Sequence, residues 1–290
     1  MSSTRKLFLF IGLPLVIIFL LIAGSSLLGN QTEQKTDSND RQTQPPPAQE
    51  TPAANGAVRW ENTTEGGWLA VEGTPPACPE PFTIKSPSDL TKATAMFPPG
   101  QERRGSFEGQ GGNYKIHGGF RFDGLRPSDV KVVSPISGYV YRGGNYLIEG
   151  EIQYTFDIIH PCGMMVRLGH LRELSEPFKQ MAAAFPQPVE GDSRTERISG
   201  FPEVKAGDLV ATAAGFEKGP NVFFDLGVLD LRKKNEISQT PAYQQAHADN
   251  KELAWHAVCW YDMLPSNDAT RTKNLPAGDP LSGKASDYCK

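Results

Sequence analysis

The sequence predicts a mainly β fold: an antiparallel β sandwich with one N-terminal transmembrane helix and few short helices. Short runs of β-branched and aromatic residues alternate with turn residues from residue 58 onward. The 290 residues include 29 Gly and 24 Pro, which is typical of a turn-rich β protein and not of a helical bundle. The net charge of −4 argues against a nucleic-acid partner, because such proteins usually carry a basic excess.

The first predicted element is a transmembrane anchor at residues 7–28. This segment contains no charged residue and has the length of roughly 20 residues that a helix needs to span a bilayer. Two basic residues lie in residues 1–6 and the next is Lys35, so the positive-inside rule leaves residues 1–6 in the cytoplasm. The alternative is a cleaved signal peptide, with small residues at 23–26 as the cleavage site. Either way, we expect the bulk of the chain to be extracytoplasmic; the anchored form is a single-pass protein of the cell membrane.

Two segments without a strong periodic pattern follow the anchor. Residues 29–57 are rich in Pro, Gln and Thr and almost free of apolar residues, which predicts a disordered tether. Residues 58–113 are interpreted as an irregular N-terminal arm that leads into the core.

The predicted core is residues 114–232, followed by a C-terminal tail at 233–290 that packs on it. Apart from the anchor, helix is expected only in the insertion and the C-terminal region, with candidates near Leu174–Phe185, where Ser175 or a neighbour is the cap, and near Thr240–Asp249. The candidate strands are Tyr114–Phe122, Lys131–Arg142, Tyr146–Glu149, Thr155–Ile159, Met164–His170, Asp208–Ala213 and Val222–Asp230.

The four cysteines suit disulfide bonds in an extracytoplasmic protein. No C-x-x-C pair is present, so a zinc site built from thiolates is a poor interpretation. We favour Cys259–Cys289 and then Cys78–Cys162, while the four residues allow three pairings and buried free thiols are the alternative.

Four sequence blocks in the core carry a resemblance to a known family. They are Lys115–Phe120, Val133–Val140, the strand pair Ile158–His160 and Met165–Leu171, and Val204–Ala214 with Gly219–Leu226. In order and spacing they resemble the lysostaphin/LytM-type zinc endopeptidases, which cut peptide cross-links in peptidoglycan. The resemblance covers less than half of the chain and implies a sandwich of the LytM type.

The same resemblance implies that this chain lacks most of the family's zinc ligands. The family holds zinc with the His and Asp of its first block and the second His of H-x-H, and two further histidines polarise water and the oxyanion. His117 matches the first ligand and His170 matches a polarising histidine, but Arg121 stands at the Asp position. Asn221 and Phe223 occupy the H-x-H positions. We therefore expect no catalytic residue, metal or cofactor here, and these five positions are relics.

Two alternatives remain open for the surviving polar residues. His117, His170 and Asp225 could form a substitute zinc site, or the histidines could be hydrogen-bonded in a partly polar groove. Arg121 could bind a carboxylate or phosphate, or it could pair with Asp123, Asp225 or Glu149. The candidate cleft-binding residues are His117, Arg121, Asp123, His170 and Asp225.

These expectations lead to three functional hypotheses. The first is a catalytically inactive LytM-like domain that binds or regulates a peptide, glycan or protein partner at the cell envelope. The second is an active metalloendopeptidase with a non-standard metal site. The third is a purely structural envelope module, in which an insertion at about residues 172–203 and the tail fill the cleft. That insertion is interpreted either as a lid or as a surface elaboration.

Overall fold

The protein is described by a computed structural model covering residues 58–104, 113–219 and 221–290. The predicted cytoplasmic N-terminus (1–6), anchor (7–28) and tether (29–57) lie outside these residues. Within the described ranges, no helix has both the length and the apolar character needed to cross a membrane.

The described chain is mainly β, with large antiparallel sheets, as the sequence predicts. In chain order its elements are β1 (Arg59–Asn62), β2 (Trp68–Glu72), β3 (Ala95–Phe97), β4 (Gln101–Arg103), β5 (Asn113–Lys115), β6 (Gly118–Asp123), β7 (Val132–Val133), β8 (Gly138–Ile148), β9 (Glu151–Ile159), β10 (Met164–Leu174), α1 (Glu176–Ala182), β11 (Glu196–Arg197), β12 (Glu203–Val204), β13 (Leu209–Ala214), β14 (Asn221–Asp230), α2 (Pro241–Ala246), α3 (Lys251–Ala254) and α4 (Ser266–Asn274).

The main sheet has the strand order β11-β8-β9-β10-β14-β6-β3, with β12 beside β8 and β13 beside β10 and β7. Its strand pairs are antiparallel. The β8–β9 hairpin turns at Glu149 and Gly150, whose φ angles of 54° and 74° match the two-residue turns that suit strand twist.

Strand β8 continues past Arg142, where the sequence predicts a break at Gly143 and Gly144. The backbone stays extended because both glycines lie under close neighbours. A Cβ on Gly144 would lie 2.3 Å from the Arg194 carbonyl oxygen, and one on Gly143 would lie 2.6 Å from the Phe156 ring. These glycines therefore permit close approach of other segments and do not end the strand.

Alternation along the strands gives the main sheet two different faces. One face carries Phe120, Phe156 and Phe224 and packs into a core that includes the fully buried Trp260. The other face carries Tyr139, Met165 and Leu229 at one end and packs against Trp60 and Trp68. The polar residues discussed below lie on this second face.

The N-terminal arm, predicted to be irregular, contains β1 to β4. Trp60 and Trp68 bury the β1–β2 hairpin against the sheet, and the Trp60 backbone N–H donates to the Tyr139 hydroxyl at 2.8 Å. These strands are so short that the alternation of apolar and polar residues along them does not distinguish them from loops in the sequence.

The predicted cysteine pairing is confirmed. Cys78 is bonded to Cys162 and Cys259 to Cys289, and no free cysteine is present in the described residues.

The C-terminal tail extends the main sheet beyond β3 and contains the helices α2 to α4. The Met96 backbone N–H donates to the Pro276 carbonyl at 3.0 Å, and the Gly278 N–H donates to the Met96 carbonyl at 2.7 Å. Of the two predicted helices, the structure has α1 and α2 with shorter bounds. Ser175 precedes α1, and its side chain makes no capping hydrogen bond.

Candidate functional site

The site begins with three side chains that the strands bring to one face of the sheet: His117, His170 and Asp225. Asp225 lies in β14, and His117 immediately precedes β6, which pairs with β14. His170 lies in β10 at an irregularity in the β9–β10 register and has a φ of 55°. Such a bulge redirects a side chain, and histidine is among the residues that adopt this left-handed conformation more often.

One oxygen of Asp225 contacts both histidines. Asp225 Oδ2 lies 3.4 Å from His117 Nδ1 and 3.4 Å from His170 Nε2. Asp225 and His170 are 6% and about 15% exposed, so this cluster is largely shielded from water. The structure thus brings together the three residues that sequence analysis named as a conceivable substitute site.

Burial and the charges within this cluster lower the pKa values of both His170 and Asp225. Burial lowers the pKa of His170 to about 4, although the neighbouring Asp225 carboxylate acts in the opposite direction. Burial disfavours the ionised form of Asp225, but His117 and His170 hold the pKa of its carboxyl well below the ordinary value. At neutral pH the cluster therefore contains an aspartate anion beside a neutral His170.

Aromatic rings enclose His170. Its ring centroid lies 4.5 Å from that of Phe223, 5.5 Å from that of Phe216 and 6.1 Å from that of Tyr146. The Phe223 ring also contacts Phe97 and Phe216 at 6.0 and 5.4 Å. Phe223, at a position where the LytM resemblance implies a zinc ligand, is therefore part of an apolar wall around His170.

Arg121 is held on the rim by neighbours on both sides. Its Nη2 donates to Asp123 Oδ2 at 3.1 Å and its Nη1 donates to the Gly278 carbonyl at 2.9 Å. The salt bridge to Asp123 is one of the alternatives stated above. Asp123 does not line the cavity that Arg121, Asn221 and Phe223 line.

These residues surround an open space of about 620 Å3, which we call the histidine cavity. Its walls come from the main sheet, the loop before β14, the insertion and the tail. The residues used in the arguments below are Phe97, Arg103, Lys115, His117, Arg121, Tyr146, Arg167, His170, Phe216, Asn221, Phe223, Asp225 and Gly278.

A second space of about 950 Å3, which we call the arginine groove, continues from the first. Both are lined by Lys115, His117, Arg167 and two insertion residues, Gly191 and Ser193. The insertion is tied to β8 by the Leu147 N–H, which donates to the Val189 carbonyl at 3.0 Å. The insertion thus forms one wall of a continuous cleft.

The floor of the arginine groove contains an Arg–Asp–Arg cluster across β8, β9 and β10. Arg142 and Arg167 both lie opposite Asp157 in the strand registers. Arg142 Nε donates to Asp157 Oδ2 at 2.6 Å, and Arg167 donates through Nε and Nη2 at 2.7 and 2.8 Å. Burial disfavours ionisation of Asp157, but the two arginines lower the pKa of its carboxyl.

Gly227 lets His117 approach this cluster. It lies opposite Arg167 in the β10–β14 register. A Cβ at this position would lie 3.2 Å from the His117 Cβ and 3.5 Å from the Arg167 Cβ. A larger residue would therefore crowd the junction between the histidine cavity and the arginine groove.

The zinc site that the LytM resemblance implies does not fit the residues at its positions. Zinc needs three or four N, O or S ligands at about 2.0–2.3 Å, and Phe223 supplies none. The Arg121 guanidinium brings a positive charge to a position where the resemblance implies a carboxylate. No group of three or more His, Cys, Asp or Glu side chains with metal-binding geometry occurs in the part of the chain that the structure describes.

Sequence reasoning missed the arginine cluster and Arg103. Arg103 Nη2 donates to the His117 carbonyl at 3.2 Å, and its guanidinium lies 4.5 Å from the Phe97 ring centroid. Charged residues inside apolar strand segments were the available signal, since buried charges are normally paired. The pairing itself depends on strand registers that the sequence does not specify.

Comparison with known proteins adds no relative. A scan against protein-family models gives no match, and a search of curated proteins gives none either. The LytM resemblance therefore rests on the four sequence blocks.

Proposed function

We propose that this chain is a membrane-anchored, extracytoplasmic protein whose LytM-like β sandwich binds a ligand or partner at the cell envelope without cutting it. The proposed domain is the described β region, and the anchor is residues 7–28. The ligand is a peptide, a glycan or an envelope protein. No metal, other cofactor or nucleic acid takes part.

The observation that carries the proposal is the contact between Phe223 and His170. A ring 4.5 Å from the imidazole fills a place where the resemblance implies a zinc ligand. Arg121 adds a cation fixed by Asp123 and the tail. The cleft nonetheless stays open, with about 620 Å3 in the histidine cavity. The cleft therefore lacks the zinc ligands that hydrolysis would need but is still large enough to hold a ligand. This combination supports binding over hydrolysis.

The test is a cleavage assay with the purified full chain and cross-linked peptidoglycan peptides, with and without a chelator. We expect no chelator-sensitive product, because too few ligands remain to hold a catalytic zinc and its water. Cleavage that a chelator stops, and that zinc restores, would overturn the proposal.

A second candidate function is supported by one specific observation, the contact of Asp225 with both His117 and His170. Two imidazoles and a carboxylate are a known type of zinc ligand set, so the second candidate is a non-standard metallopeptidase in which these side chains move into metal-binding geometry. Replacement of Asp225 by Asn separates the candidates. If the protein is a metallopeptidase, the Asp225→Asn substitution abolishes chelator-sensitive cleavage. If the protein only binds its ligand, neither the native chain nor the variant cleaves the peptides.

A further inference from the structure

His256 lies at a point where separate segments of the chain meet. It follows α3, it is 3% exposed, and both of its ring nitrogens face backbone carbonyls. Nε2 lies 3.0 Å from the carbonyl oxygen of Gly66, in the turn between β1 and β2. Nδ1 lies 3.1 Å from the Asp230 carbonyl oxygen and 2.9 Å from that of Lys233, at and just after the end of β14. The imidazole therefore connects the β1–β2 hairpin to the end of β14.

The three carbonyls around this ring are all hydrogen-bond acceptors. A neutral imidazole has one N–H, and its other nitrogen is an acceptor too. In either neutral tautomer, a nitrogen lone pair would therefore face a carbonyl oxygen at hydrogen-bond distance. Because His256 is buried, water cannot readily relieve this repulsive contact. Only the doubly protonated ring, which donates through both nitrogens, satisfies all three carbonyls.

We propose that His256 is a pH-sensitive latch, which holds the turn of the β1–β2 hairpin when its ring is protonated and loosens that turn when its ring is neutral. Nδ1–H serves two carbonyls and Nε2–H serves one, so the neutral ring keeps the proton on Nδ1. The contact that is lost is then the one to Gly66, which is the contact that reaches the hairpin.

The other charged groups on these segments are carboxylates, lysines and arginines. They are Glu65 in the turn, Asp230, Arg232, Lys233 and Lys234 at and after the end of β14, and Lys251 and Glu252 on α3. Arg232 donates to both oxygens of the Asp230 carboxylate, at 2.7 and 2.8 Å, so this buried anion already has its partner. Histidine is the side chain whose ordinary charge change falls between about pH 5 and 8. Within that range, His256 is therefore the group that we expect to control the turn.

Loss of the Gly66 contact would loosen the hairpin without detaching it. Trp60 and Trp68 still bury the hairpin against the sheet, and Trp68 Nε1 donates to the Glu252 carbonyl at 2.7 Å. The expected change is therefore local opening of the hairpin and not unfolding of the domain. Glu252 also lines the arginine groove, so the latch lies beside one wall of the cleft.

Hydrogen exchange of the purified full chain, measured by mass spectrometry at about pH 5.5 and about pH 8, tests the proposal. Protection factors are compared after correction for the intrinsic effect of pH on amide exchange. We expect the protection of β1 and β2 to fall by about tenfold at the higher pH, because one charge-assisted hydrogen bond is lost. Equal protection of the native hairpin at both pH values would overturn the proposal.

Substitutions then assign the effect to one ring. Glutamine does not titrate, so we expect His256→Gln to remove the difference in hairpin protection between the two pH values. His256→Asn is the second variant in case His256→Gln does not fold. His247→Gln is the matched control and should keep the full difference, because the His247 ring packs on Tyr114 and Tyr243 in another part of the tail. An unchanged difference in a folded variant of His256 would contradict the assignment.

The latch and the proposed binding function are tested separately. Chelator-sensitive cleavage by the native chain would overturn the binding function and leave the latch standing. Equal hairpin protection at the two pH values would remove the latch and leave the binding function standing.

Discussion

His170 is the residue whose surroundings depart most from those of a solvated imidazole. Three aromatic rings and the Asp225 carboxylate surround it, and burial lowers its pKa from 6.5 to about 4. Because the buried imidazole stays neutral, His170 binds a proton more weakly in the native state than in the unfolded chain. Stability must therefore fall where only the unfolded state is protonated.

We predict that His170 makes the protein less stable as pH falls from 6.5 to about 4. Above that range both states are neutral at this residue. Within it the unfolded chain binds a proton that the native state excludes, which amounts to about 3 kcal/mol across the window. Denaturant unfolding of the full chain at several pH values measures this loss.

The matched variant is His170→Asn, because asparagine also tolerates the left-handed backbone at this position. His160 and His247, whose pKa values partial burial also lowers, titrate equally in both proteins and cancel in the comparison. If the free energy of unfolding of the variant falls with pH as steeply as that of the native protein, His170 does not titrate as described.

At the scale of the strands, Asp157 joins β8, β9 and β10. We predict that Asp157→Asn destabilises the protein by about 3–5 kcal/mol, because two largely buried guanidinium groups would lose the carboxylate to which they are hydrogen-bonded. Thermal or denaturant unfolding measures the change. Asp129→Asn, at an exposed pair with Arg126, is the control and should change stability little. Equal effects of the two substitutions would contradict the role of the cluster.

The two disulfides hold different parts of the cleft. Cys259–Cys289 spans 30 residues and includes the tail segment whose Gly278 carbonyl contacts Arg121. We predict that replacing both cysteines by serine costs about 3–4 kcal/mol in the chain-entropy account. Cys78–Cys162 spans 84 residues, so its removal should cost more, about 4–5 kcal/mol. Unfolding of the two variants under oxidising conditions measures the order, and the reverse order would contradict this account.

Strand-level features were predictable where local pattern determines them. The segments that form β9, β10, β13 and β14 are dominated by apolar residues bounded by turn residues. The cysteine pairing was predictable because Cys259 and Cys289 bracket the C-terminal tail, which leaves Cys78 to pair with Cys162. The full length of β8 was not predictable, because Gly143 and Gly144 resemble a break until the neighbours that cover them are known.

The site was predictable only in part for a similar reason. The family blocks pointed to His117, His170 and Asp225 as a group. The contact of Phe223 with His170 and the sharing of Asp157 by two arginines depend on registers between strands far apart in sequence. A one-residue change of register would move each side chain to the opposite face.

At the scale of the whole molecule, we propose that the apolar segment at residues 7–28 anchors the domain to the membrane. We predict that the full chain fractionates with membranes and resists extraction by high salt, because a spanning helix is held by hydrophobic burial. A chain starting near Ala57 should be soluble. Release of the full chain by salt alone would contradict a spanning helix, and N-terminal sequencing distinguishes a retained anchor from a cleaved signal peptide.

Zinc binding by the native full chain, compared with the variant Arg121→Asp, Asn221→His, Phe223→His, tests the central claim most directly. The substitutions restore the ligands and the second histidine that the LytM resemblance implies. The account predicts about one equivalent of zinc in the variant and no stoichiometric zinc in the native chain. About one equivalent in the native chain, lost when His117 is replaced by Ala, would contradict it.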